Sequence, residues 1–200
     1  PRRHMKKVLL TQPIRPIGME ILAKEAEVVV APDRKEETIL NMVENFDALI
    51  NRTTIIGKEI IEKGKNLKVI GAHGVGFNLI DVEAATNRGV CVVNTPGANS
   101  QAVAEFVVAM MLSLTRNLIA GDYAQRVERC FEKRDQLTGN DMFKKTIGII
   151  GMGQIGRKVA KICMAGFNMK VIGYDPYVSK EDMEAMGVIK ADSIDLLFQE

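Results

Sequence analysis

An α/β fold built on parallel sheets, divided into two domains, is predicted by three observations. Short bursts rich in Val and Ile recur about every twenty residues with little alternation of polar and apolar positions, as expected of strands buried on both faces. Helix-period segments separate them. A long helical stretch then interrupts the series, and a second strand–helix series starts at Thr146.

The first series runs "KVLLT" from Lys7, "EVVVA" from Glu27, "DALIN" from Asp47, "LKVIGA" from Leu67 and "VCVVN" from Val90. "GMEILAKEA", "KEETILNMVEN", "GKEIIEKG" and "DVEAATNRG" lie between these strands as helices. Turn chemistry in "NTPGAN" closes the series and places the boundary near Pro96 to Ser100, with Asn99 or Ser100 as the N-cap of the next helix. "SQAVAEFVVAMMLSLTRNL" reads as a buried helix, and "YAQRVERCFEKRDQL" as a more exposed helix or loop with a charged face. The second series reads as strand "TIGII", a glycine turn, helix "QIGRKVAKICMAG", strand "KVIGYD" and two shorter helical stretches, giving a sheet of two strands.

Composition narrows the functional classes. With 46% hydrophobic residues, the 200-residue chain can bury a substantial core. The formal charge is +2 with both signs interleaved, which offers no basic stripe for nucleic acid and no polybasic tail for a membrane surface. No apolar run approaches the roughly 20 residues that span a bilayer. Cys91, Cys130 and Cys163 lack metal-ligand spacing, so no metal site is expected and a reduced, cytoplasmic setting is. The leading "PRRH" resembles a cloning remnant, which puts the expected native start at Met5 and leaves His4 without a role.

"IGIIGMGQIGRKVA" carries the chemistry. Gly151, Gly153 and Gly156 follow a strand and open a helix, and Asp175 ends the next strand 19 residues past Gly156. In that context Gly151 permits the tight turn, Gly153 lets the backbone approach a pyrophosphate, and Gly156 lets helix and strand pack closely. The free amides of Gln154 and Ile155, with the helix dipole behind them, face the anion. Asp175 accepts the ribose hydroxyls and repels a 2′-phosphate, favouring NAD over NADP. The turn alone leaves flavin and S-adenosylmethionine sites open.

Longer runs extend the reading. "NLKVIGAHGVGFNLIDVEAATNRGVCVVNTPGANSQAVAEFVVAMML", "GNDMFKKTIGIIGMGQIGRKVA" and "VIGYDPY" together resemble the D-isomer-specific 2-hydroxyacid dehydrogenase family across Met5 to Glu200. The resemblance implies a flavodoxin-like substrate domain at 5–99 and a Rossmann NAD-binding domain at 100–200, with the active site in the cleft. It implies hydride transfer between nicotinamide and C2 of a 2-oxo or 2-hydroxy acid, and a homodimer formed through the nucleotide domain. By the same resemblance Gly74, Val75 and Gly76 hold the substrate carboxylate through backbone amides, Arg52 is a polar substrate contact, and Val75 and Val107 border the nicotinamide. Asn78-Leu79 stands where many members carry Asp-Asn, which removes the polar side chain expected at position 79.

The family's catalytic Arg, Glu and His have no matching positions here, so the chain is expected to be the N-terminal part of a longer protein, inactive by itself. His73, Arg52 as a surface ion pair, and Asn78 and Asn99 as turn residues are the structural alternatives to functional roles. A second class of function, an NAD-sensing binding or scaffold protein without turnover, is compatible with the same residues.

Overall fold

The computed structural model describes residues 5–199, and the "PRRH" stretch lies outside them. The chain forms two compact units that divide between Ala98 and Asn99. In the first, β1 (Lys6–Leu10), β2 (Ala26–Val30), β3 (Ala48–Asn51), β4 (Val69–Ala72) and β5 (Cys91–Val93) alternate with α1 (Pro16–Ala23), α2 (Glu36–Met42), α3 (Lys58–Lys63) and α4 (Val82–Asn87). All pairings are parallel and the strand order is β2-β1-β3-β4-β5, the flavodoxin-like order.

Register explains the stability of this sheet. Val29, Leu9, Leu49, Ile70 and Val92 stand side by side across the five strands. Leu9, Leu49 and Ile70 are fully buried, and α2, α3 and α4 close over that face through Ile39, Ile60, Ile61, Ala84 and Ala85. Burying side chains of this size contributes about 1.5–3 kcal/mol each. The helices begin where local chemistry allows: Pro16 occupies the first position of α1, where its missing N–H costs nothing, and the Asp81 carboxylate caps α4 by accepting the Ala84 amide at 2.9 Å.

The second unit contains α5 (Ser100–Thr115), α6 (Leu118–Tyr123), a π-type turn at Ala124–Glu128 and a 3₁₀ turn at Phe131–Asp135. Then come β6 (Thr146–Ile150), α7 (Gln154–Phe167), β7 (Lys170–Tyr174), α8 (Lys180–Ala185), β8 (Ile189–Lys190) and α9 (Ile194–Leu197). The sheet is parallel with order β6-β7-β8. It therefore has three strands rather than the two expected. β8 is only two residues long, too short to show a periodic pattern.

One further expectation is corrected. α5 buries only Ser100, Ala104 and Val108, while Phe106 (65%), Met110 (50%) and Leu114 (75%) lie open. Small Ala104 lets α5 seat against the Val159–Ala160–Cys163 face of α7, and the opposite apolar stripe has no cover among the described residues. Asn99 sits at the N-cap position of α5 without a side-chain bond. Ser100 instead turns its hydroxyl to Gln154 Oε1 at 3.3 Å.

Candidate functional site

The turn between β6 and α7 is built as its glycines require. Gly151 takes φ +90°, a conformation that side chains resist, and donates its amide to the Tyr174 carbonyl at 2.8 Å. A Cβ on Gly156 would collide with the Gly151 carbonyl oxygen, so only glycine lets α7 start this close to the strand. Gly153, at the N-cap of α7, faces open space where its Cβ would be. The Gln154 and Ile155 amides have no acceptor among the described residues. A glycine rim with free helix N-terminal amides fits a phosphate group.

Asp175 follows the last residue of β7 and is tied back to this turn. Its Oδ2 accepts the Met152 amide at 2.8 Å and its Oδ1 the Tyr177 amide at 2.9 Å. The Tyr177 bond and then the Met152 bond hold its carboxyl below the usual range, and the charges of Lys190 and Arg157 add to them. The acid is thus ionised and oriented before any ligand arrives.

Sequence reasoning missed two cations beside it. Arg157 Nε donates to the Met152 carbonyl at 2.8 Å, and Lys190 Nζ donates to the Val178 carbonyl at 2.7 Å. The available signal was the position of Arg157 directly after the third glycine. Val107 is half-buried against the core of this unit, leaving part of its surface open.

In the first unit the loops after β1, β3, β4 and β5 meet through polar groups. Thr11 Oγ1 donates to Asn51 Oδ1 at 3.2 Å, and Asn51 Nδ2 donates to the Thr54 carbonyl at 2.8 Å. Thr11, Asn51 and Thr54 are all buried, so these bonds offset their desolvation. The Arg52 amide donates to Thr11 Oγ1 at 3.3 Å, which fixes the backbone of Arg52 while its side chain stays exposed and makes no ion pair among the described residues.

The His73 amide donates to the Asn51 carbonyl at 2.7 Å, placing the loop at 74–76 beside that turn. One expectation is modified here: the Gly74 amide turns back to the Ala72 carbonyl at 2.8 Å. Of the three loop amides, those of Val75 and Gly76 have no acceptor among the described residues. The Gly74 carbonyl accepts the Thr95 amide at 2.9 Å and Thr95 Oγ1 at 3.0 Å, and the Val75 carbonyl accepts Asn94 Nδ2 at 2.7 Å. Among the described residues, no three His, Cys, Asp or Glu side chains are grouped to hold a metal ion.

A parallel sheet whose first strand runs through a Gly-x-Gly-x-x-Gly turn into a helix, joined to a flavodoxin-like unit, defines a two-unit α/β protein of the Rossmann class. Residues 8–200 match the family described as D-isomer specific 2-hydroxyacid dehydrogenase, catalytic domain, and the chain belongs to that family. It is 41% identical over 194 residues to the D-3-phosphoglycerate dehydrogenase of Methanocaldococcus jannaschii, covering 96% of this chain and 36% of that protein. It is 35% identical over 196 residues to the hydroxypyruvate reductase of Thermotoga maritima, covering 97% and 62%.

The solved D-lactate dehydrogenase from Aquifex aeolicus, complexed with NAD and lactic acid, superposes with a TM-score of 0.80 at 25% identity, covering 96% of this chain and 57% of that one. The chain thus spans less than two thirds of the length of each of these relatives.

Proposed function

We propose that the protein serves NAD-dependent interconversion of a 2-oxo acid and a D-2-hydroxy acid. The second unit would hold the dinucleotide and the first the acid. The observation that carries this reading is the β6–turn–α7 arrangement with the ionised Asp175 tied to Met152. NAD(H), when bound, supplies or accepts the hydride. In this reading the Gln154 and Ile155 amides take the pyrophosphate past the open rim of Gly151 and Gly153. Gly156 seats the helix, Asp175 accepts the ribose hydroxyls, and Val107 borders the nicotinamide.

The Val75 and Gly76 amides take the substrate carboxylate, with Gly74 shaping the loop and Arg52 offering a cation nearby. Glyoxylate, hydroxypyruvate and 3-phosphoglycerate are the substrates to try first, in keeping with the names of the relatives. A guanidinium, an imidazole and a supporting carboxylate are needed to polarise the carbonyl and move the proton. The family resemblance assigns none of these three roles to a position in this sequence, so the 200 residues by themselves are proposed to bind without appreciable turnover.

A homodimer in the cytoplasm is part of the same proposal. Support comes from the uncovered stripe of Phe106, Met110 and Leu114 and from a cavity of about 710 Å³ beside it, lined by Leu114, Ile119 and Tyr123 among others. No single helix among the described residues is long and apolar enough to cross a membrane.

Calorimetry of this chain with NADH and NADPH tests the cofactor reading, and NADH oxidation with glyoxylate, hydroxypyruvate and pyruvate tests the chemistry. NADH binding tighter than NADPH, with negligible turnover, is expected. Absent NADH binding would remove the proposal, and turnover at the rate of an intact dehydrogenase would make His73 the first catalytic candidate.

A further inference from the structure

We infer that Asn94 and Thr95 are positioning residues that aim the Val75 and Gly76 amides at the carboxylate of a 2-oxo acid. The inference rests on the proposed reading of the 74–76 loop. In a trans peptide the C=O and the following N–H point in opposite directions. Pinning a carbonyl therefore aims the next amide. Thr95 grips the Gly74 carbonyl twice, through its amide at 2.9 Å and its hydroxyl at 3.0 Å, so the Val75 N–H is turned away from the exit of β5. Asn94 Nδ2 grips the Val75 carbonyl at 2.7 Å, so the Gly76 N–H is turned the same way.

The two residues thus set two successive amides on one side of the loop, both without an acceptor among the described residues and both in an exposed segment, Val75 being 41% exposed. Paired amides of this kind form a small concavity that suits an anion. Among the described residues, no other hydrogen bond holds the Gly74 or Val75 carbonyl. The Gly74 amide is spent on Ala72, and neither Gly74 nor Gly76 has a side chain to hold the loop. Asn94 Nδ2 and Thr95 Oγ1 donate to carbonyl oxygens on the far side of the loop from the two amides. They act through the loop.

The test is a ¹⁵N-resolved titration of this chain with oxamate, a 2-oxo acid mimic, in the unmutated protein and in Asn94→Ala, Thr95→Val and Thr95→Ser. In the unmutated chain oxamate shifts the Val75 and Gly76 amides downfield, as charge-assisted bonds do. Asn94→Ala selectively weakens the Gly76 response and Thr95→Val the Val75 response. Each loosens oxamate about five- to tenfold, the contribution of one hydrogen bond, with the thermal midpoint nearly unchanged. Thr95→Ser restores the unmutated behaviour.

A general loss of fold would depress both amides together and would not be rescued by serine. Unmutated shifts that persist at full size and affinity in both Asn94→Ala and Thr95→Val would overturn the inference and leave the loop reading standing. No shift at Val75 or Gly76 in the unmutated chain would remove the loop reading and the inference with it.

Discussion

The Asp175 carboxylate accepts the Met152 amide at 2.8 Å, so the acid that follows β7 and the glycine turn that follows β6 are one hydrogen-bonded object. Together with the Tyr177 amide, this bond holds the Asp175 carboxyl below its usual 3.8. A carboxylate depressed in the folded state contributes stability above the pKa of the unfolded chain and loses it as pH falls through the folded value. The tie should therefore be intact at neutral pH and fail only in acid, below about pH 4. A ¹³C titration of the Asp175 carboxyl should give a midpoint under 3.8. A midpoint at or above that value would show that the two amides do not engage it.

The same acid should set cofactor choice. NAD(H) is expected to bind more tightly than NADP(H), and Asp175→Ala should erode the preference about tenfold or more by removing charge-assisted bonds to the ribose and the repulsion of a 2′-phosphate. Equal affinity for the two cofactors in the unmutated protein would sink the assignment.

Gly153 faces open space, so Gly153→Val should leave the fold intact while blocking the approach of a pyrophosphate. Circular dichroism should match the unmutated chain and NADH calorimetry should lose its signal. Retained NADH affinity in the folded variant would make the turn purely structural.

Gly156 and Gly166 lie on the same helix but meet opposite surroundings. A Cβ at Gly156 runs into the Gly151 carbonyl, whereas at Gly166 it meets nothing. Gly156→Ala should cost about 1–3 kcal/mol or more through forced displacement of backbone. Gly166→Ala should be neutral or gain about 0.5–1 kcal/mol from helix propensity. Urea unfolding of the two variants side by side is the check, and similar midpoints would contradict the close approach.

The stripe of Phe106, Met110 and Leu114 should be the centre of the proposed homodimer. Leu114→Asp should weaken association by about 2 kcal/mol or more, as at a buried hot spot. Sedimentation at micromolar concentration should show a dimer that becomes monomer in the variant. A monomer before mutation would leave the stripe unexplained.

Much of this was legible in order along the chain. The five strands of the first unit stood out because Val and Ile runs without alternation have few other uses, and the three glycines with Asp175 stood out because they fall on a fixed spacing after a strand. The exposed face of α5 was not legible. Its apolar residues go almost all round the helix, and which of them face α7 is settled by where Ala104 permits contact. The strand at Ile189–Lys190 was too short to announce itself.

Residue types and local spacing determined by themselves the α/β class, the two units, the glycine turn and the acid that answers it, since each depends on neighbours a few residues away. The tertiary structure alone decided the strand order β2-β1-β3-β4-β5, the turning back of the Gly74 amide, and the grip of Asn94 and Thr95 on carbonyls 19 and 21 residues upstream. Those choices rest on hydrogen bonds between segments that meet only when the chain has folded, and a backbone amide carries no mark in the sequence of which way it will point.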